Sequence, residues 1–358
     1  MRTGVFQAVV LACLLAGCCA QKADVARLRV APDTMLDSPQ RALDEVLRLR
    51  ASGLVEKDRQ IVVEFACGIY AVGRPLEITA AHGPLLLKGA GTLGTVFSGG
   101  KELGVFNVET NGRVWRTSVA ADWAFDQLFI NRKRADLSSP DKCLDPWLPG
   151  AWYRDGTTHE VVYVARPGEH PLTTTAVVGA VDSLMILRDA ADVTVEGISF
   201  MYNVCGREGA DGAVVVCEGG LHLVFSDCAF RLCDNYGLQV IGGAADVSIR
   251  HCRFDDVASG ALRVCDAVRM VFEDNVVSSC GRASVQATVR IERGRHCKVV
   301  HNDFCNLKCA GVSCPEGCET GFNRFWKVPG EADSPREGEA GVSGKDPVWR
   351  ARVELLTF

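Results

Sequence analysis

Acids, imidazoles and guanidiniums recur in this 358-residue chain at spacings that repeat. Asp227, His251, Asp274 and His301 each stand one position before Cys228, Cys252, Asn275 and Asn302. Stacked, the alternation of acid and imidazole can pass protons or raise histidine pKa values. The same position equally suits a plain polar turn. Asp303 and Asp256 lie close by and can supply a second acid for general acid–base work. Arg263 and Arg290 form another series, with Gln239 before them and Ser313 after. Two guanidiniums with no acid in their own series invite an anion such as a uronate or a sulfate, unless Glu292 or Asp266 from a neighbouring series pairs with them.

These series exist only if the segments carrying them stack. Val224 to Phe230, Ile249 to Phe254, Phe272 to Val277 and Val299 to Phe304 are self-similar, and their closing residues Phe230, Phe254, Val277 and Phe304 stand 24, 23 and 27 residues apart. A weaker copy, Val193 to Phe200, precedes them. Short strands that alternate apolar and polar residues, with a period in the low twenties and Gly, Asn and Asp between them, predict an all-β right-handed parallel β-helix. Coils about 4.8 Å apart turn each repeat position into a ladder of like residues. Cys228, Cys252, Asn275 and Asn302 share one ladder, and Cys233, Val257, Cys280 and Leu307 another. Ser38, Pro39 and the apolar residues Ala42, Val46 and Leu49, stopped by Gly53, predict a helix that caps the solenoid. The predicted segments are 1–17 (signal), 18–60 (N-terminal segment with the capping helix), 61–328 (β-helix), 329–345 (loop or insertion) and 346–358 (last strand).

Composition narrows the partners. A net charge of −5, with 23% charged and 47% apolar residues, describes a globular chain, and the absence of any long Lys/Arg run argues against nucleic acid. The N-terminus reads as a secretory signal. Leu15-Ala16-Gly17-Cys18 resembles the bacterial lipobox, which implies lipidation of Cys18 and anchoring to the bacterial cell envelope; plain secretion after Ala20 is the alternative. Of the 17 cysteines, 15 remain if Cys13 is removed and Cys18 is lipidated, an odd number that cannot pair fully. Cys305, Cys309, Cys314 and Cys318 lack the two-residue spacing of common zinc knuckles, and core or disulfide roles are expected rather than a metal site.

Phe97-Ser98-Gly99-Gly100 with Val114-Trp115, Phe125 to Asn131 with Lys133-Arg134-Ala135, Phe322-Asn323-Arg324-Phe325 and Gly344 to Arg350 occur in the order found in β-helix carbohydrate-active proteins. On these residues the chain resembles the pectate-lyase-like superfamily, in particular its secreted bacterial β-helix glycoside hydrolases, over about residues 30–358. The resemblance implies a polysaccharide or oligosaccharide substrate cleaved by paired carboxyls. It nominates Asp333 and Asp346, and places Trp349 and Arg350 in a substrate-binding element. Two departures stand out: Pro335 to Gly341 does not continue the family's acidic segment, and the chain stops at Phe358 where relatives add coils, as a truncated product would. A polysaccharide lyase using the arginine series, with Ca²⁺ as its only expected cofactor, is the second reading. A non-catalytic glycan-binding or surface-structural solenoid is the third.

Overall fold

The computed structural model of the chain describes residues 25–109, 112–140, 142, 148–204, 212–283 and 286–330. Cys18, Asp333, Asp346, Trp349 and Arg350 lie outside the described residues.

Three parallel sheets wrap one core, as the repeats predict. The first has eleven strands, from Ala26–Val30 to Glu319–Gly321; the second has eight, from Gly68–Ala71 to Arg324–Trp326; the third has seven, from Leu76–Thr79 to Ala310–Ser313. Each coil gives one strand to each sheet in that order. The register pairs Phe97, Phe200, Phe230, Phe254, Val277, Phe304 and Phe325 along the second sheet. Their rings stack inside the solenoid, Phe230 on Phe254 at 4.8 Å and Phe304 on Phe325 at 5.2 Å. Burying one such ring contributes about 1.5–3 kcal/mol.

At the corner between the first and second sheets the chain turns through the left-handed region, with φ of 52° at Asp227 and His251, 55° at Asp274 and 59° at His301. That conformation admits short polar side chains and explains the acid and imidazole series as turn residues. Phe322, at φ 55°, continues it, and its ring stacks on His301 at 5.0 Å. The next position is the inner ladder. Asn275 Nδ2 donates to Ile249 O (3.0 Å) and Asn302 Nδ2 to Phe272 O (2.9 Å), while Asn302 Oδ1 accepts from the Asn275 backbone. Cys228 and Cys252 fill the same slot as small buried groups.

The helix Pro39–Ala51 caps the N-terminal end, its Ser38 side chain accepting from Arg41 N and its Ala42, Leu43, Val46 and Leu49 joining the core. One departure from the expected continuous solenoid concerns residues 100–179. After the second-sheet strand Thr95–Ser98 the chain leaves the coil and builds a four-stranded antiparallel sheet and a five-stranded mixed one, in which only Asp136–Leu137 pairs in parallel, before re-entering the third sheet at Met185–Arg188. Gly100 and Gly179, partners in register, mark the two junctions. A Cβ on Gly100 would lie 2.5 Å from Val177, and one on Gly179 would lie 2.3 Å from Asn203 O. Trp115 and Trp152, two of the aromatic residues able to stack on sugars, are instead buried in this insertion's own core.

Candidate functional site

In a strand whose middle residue faces the core, its two neighbours face outward. Around the Phe ladder this rule puts two columns on the outer face of the second sheet. One column runs Ala229, Arg253, Val276, Asp303, Arg324; the other runs Met201, Arg231, Asp255, Ser278, Cys305, Trp326. Five of these eleven positions carry a charge, and the insertion walls the face at its N-terminal end.

The wall is fixed by one residue. Arg134, on the insertion's hairpin, donates from Nε to Asp256 Oδ1 (3.1 Å) and from Nη2 to Cys233 O (2.9 Å) and Asp256 O (3.0 Å), with its guanidinium 4.6 Å from the Phe129 ring centroid. Burial pushes the Arg134 pKa down, and the Asp256 charge opposes that. Arg282 also pairs with Asp256. Asp256, expected as a possible second acid, is therefore occupied in holding the insertion to the solenoid.

Between wall and sheet lies a cavity of about 270 Å³. Ile69, Val96 and Met201 give it an apolar floor, and Glu102, Arg132 and Tyr202 give it polar groups. Burial pushes the Tyr202 hydroxyl up to about 12, which keeps it a proton donor at neutral pH. A mixed apolar and hydrogen-bonding lining of this size suits a small polar ring.

Beyond the cavity the face carries two carboxylates. Asp255 Oδ1 accepts from Ser278 Oγ (2.6 Å), and its other oxygen lies 3.9 Å from Arg231 Nη2. Asp303 accepts on both oxygens from Arg324, Nε at 2.6 Å and Nη2 at 2.7 Å. The buried Cys305 thiol lies near both: burial first, then the Asp303 and Asp255 charges, push it up to about 12, so it is no nucleophile at neutral pH. Trp326 ends the column as the tryptophan placed on this face.

The other predicted site residues fall elsewhere. His301 sits at the corner beside the face. Arg263 and Arg290 lie on the outer face of the third sheet, paired in register as expected, and both bind Glu292 Oε1, at 3.1 Å and 3.2 Å. The neighbouring acid thus closes that series. Cys305, Cys309, Cys314 and Cys318 do not converge as a set: Cys309 lies at Gly281, while Cys314 and Cys318 lie near each other and Cys297. Among the described residues no group of three or more His, Cys, Asp or Glu is arranged to hold a metal ion. Arg253 and Asp255 escaped the sequence reading, although they flank Phe254, whose place in the inward ladder fixes them outward.

The family model described as "Right handed beta helix region" matches residues 183–328. No curated protein matches the chain in sequence. Among solved structures the chain is similar to a glycoside hydrolase, with a TM-score of 0.58 and 13% identity, covering 84% of this chain and 92% of that one. It is also similar to a complex of XylC with xylose, with a TM-score of 0.55 and 11% identity, covering 84% of this chain but only 64% of that one. Sheets, register and family match agree: this protein is a right-handed parallel β-helix carrying a mostly antiparallel insertion against its second sheet.

Proposed function

We propose that the protein is a carbohydrate-active β-helix enzyme that binds a glycan along the outer face of the second sheet and hydrolyses a glycosidic bond between Asp255 and Asp303. The observation that carries this reading is the pair of carboxylates on one outward face, whose N-terminal end holds a walled cavity of sugar size. The similarity of fold to a glycoside hydrolase and to a xylose complex accords with it. Asp303, an acceptor on both oxygens, takes the role of base: it draws the proton from the attacking water. Asp255 takes the role of general acid toward the leaving oxygen, beside Ser278, whose hydroxyl can both donate and accept. Their strands are two spacings apart, about 9.6 Å, and the two residues stand in neighbouring columns, which excludes the close retaining arrangement. Asp333 and Asp346, nominated by resemblance, compete for the same roles, with Trp349 and Arg350 near them in sequence. Export with a lipid anchor at Cys18 would put this activity at the cell envelope.

The test is product analysis on a glycan panel, with Asp255→Asn, Asp303→Asn, Asp333→Asn and Asp346→Asn side by side. New reducing ends that vanish in the first two variants support the assignment. Full activity in both, with loss in Asp333→Asn and Asp346→Asn, moves the chemistry to the C-terminal segment. Unsaturated uronate products would instead indicate a lyase, a reading that the closed Arg263, Arg290 and Glu292 cluster disfavours, since both guanidiniums are held by a carboxylate. Binding without product would leave a glycan-binding solenoid.

A further inference from the structure

Most thiols on the inner ladders are held in one way. Cys228, Cys233, Cys252 and Cys280 each donate to the carbonyl two residues back, at 3.3, 3.1, 3.2 and 3.1 Å. Cys297 reaches the equivalent carbonyl, Arg295 O, only at 3.8 Å, and Ala267 O at 4.0 Å. What it meets instead is sulfur. Lys298 pairs in register with Glu319, and Glu319 N donates to Cys297 O at 2.9 Å, so Cys297 and Cys318 stand side by side at the start of neighbouring first-sheet strands. Register neighbours lie about 4.8 Å apart, inside the Cα separation of about 4.4–6.8 Å that a disulfide spans. Their thiols interact side chain to side chain, and Cys314 lies near both. Access sets this group apart. Cys228 and Cys252 are also register neighbours, but both are buried, whereas Cys318 and Cys314 are partly exposed where they pack against the core.

We propose that Cys297 and Cys318 form a reversible disulfide that staples the coil carrying Glu319–Gly321 and Arg324–Trp326 to the coil before it. The oxidant is a small-molecule disulfide such as oxidised glutathione. The Cys318 thiolate attacks one of its sulfurs, forming a mixed disulfide and expelling one small thiolate. The Cys297 thiolate then attacks the Cys318 sulfur and expels the other. Two protein thiols and one small disulfide thus give one protein disulfide and two small thiols, the protons passing through solvent to the expelled thiolates. Burial first, then the neighbouring Cys297 and Cys314 sulfurs, push the Cys318 thiol up to about 11, so the exchange is slow at neutral pH. The stapled coil carries Arg324, which holds Asp303, and Phe322, which stacks on His301. The staple itself stands on the placement of the thiols and holds whatever the glycan.

The test oxidises the full chain with glutathione disulfide at mildly alkaline pH, blocks the remaining thiols with N-ethylmaleimide and maps the peptides by mass. Cleavage after Lys, Arg and Glu puts Cys297 in residues 296–298 and Cys318 in residues 317–319, apart from Cys309 and Cys314 in residues 309–316. The expected product links the first two peptides, is reversed by dithiothreitol and forms equally in Cys314→Ser. Amide exchange at Glu319 and Arg324, whose N–H groups donate to the preceding coil, should slow by about 10- to 100-fold on oxidation. Cys297→Ser and Cys318→Ser should show neither the link nor the slowing. A lasting mixed disulfide at Cys318, a link from Cys314 to Cys318, or no loss of thiols in the wild type overturns the proposal whatever the variants do. So does a Cys297–Cys318 link with unchanged amide exchange, because the coil would then not be stapled.

Discussion

On the third sheet, two arginines one strand apart share the carboxylate of Glu292 at 3.1 and 3.2 Å; on the second, Arg231 and Arg253, also one strand apart, have only Asp255 between them, no nearer than 3.9 Å to Arg231. Both pairs stand outward on parallel strands, the first in one register column and the second in two neighbouring ones. The difference lies in one side chain. Glu292 directly follows the third-sheet strand Ala287–Ile291 and folds back across it, whereas the corresponding acid of the second sheet, Asp256, is taken by Arg134 of the insertion. An element that walls the groove thereby also takes one of the acids beside its floor, leaving Asp255 as the acid near Arg231. Ladder symmetry makes a stable surface where charges cancel, and a reactive one where an added element upsets the balance.

Removing the acids of the open face is the strongest way to break this comparison. Asp255→Asn keeps the shape but cannot donate a proton, and Asp303→Asn cannot take one, so kcat/KM should fall by about 10²- to 10⁴-fold in either. Steady-state hydrolysis measures it. A fall of less than threefold in both would remove the functional distinction between the two faces.

Next comes the latch. Arg134→Met leaves Asp256 with Arg282 alone and strips the donors from two backbone carbonyls, and breaking a buried pair from one side costs about 3–5 kcal/mol. With Arg282 still in place the lower end, about 3 kcal/mol, is expected in urea unfolding. A smaller transition ahead of the main one would show the insertion detaching by itself. No loss of stability would mean that packing of Phe129 against Met201, Tyr202 and Leu232 suffices to hold the wall.

The solenoid was legible because its signal is periodic. Phe230, Phe254, Val277 and Phe304 specify the core ladder, and the Cys and Asn residues specify the inner turn, without reference to anything distant in sequence. The site was legible only in part. Asp303 and the Arg263 and Arg290 pair were readable as members of repeats. The latch was not, since Arg134 and Asp256 are 122 residues apart and belong to different elements. The insertion was hidden for a related reason: its strands, such as Glu160–Val164, are short apolar runs like those of a solenoid, and nothing local distinguishes an antiparallel partner from a parallel one.

Within the shared core the ladder itself can be graded. Asn302 accepts from Asn275 and donates to two carbonyls, so Asn302→Ala strands several buried groups and should cost about 2–3 kcal/mol. Cys252 in the same slot offers only a weak thiol donor, and Cys252→Ala should cost about 1 kcal/mol, chiefly lost packing. Chemical denaturation of the two variants compares them directly. Equal losses would show that the slot is filled for volume and not for its hydrogen bonds.

The smallest effect is expected on the closed face, and it probes the comparison from the other side. Glu292→Gln keeps the volume and removes the charge shared by Arg263 and Arg290. All three side chains retain some solvent contact, from 11% at Arg263 to 34% at Arg290, so water screens the repulsion that remains. The cost should be about 1 kcal/mol, well below that of the latch. Hydrolysis should stay within twofold of wild type, because the third sheet meets the glycan in neither proposed step. Relieved of its shared acceptor, the arginine pair should bind sulfate more tightly in the variant than in the wild type, as isothermal titration would register. Loss of tenfold or more in activity would reverse the assignment of the two faces and put the chemistry on the arginine series.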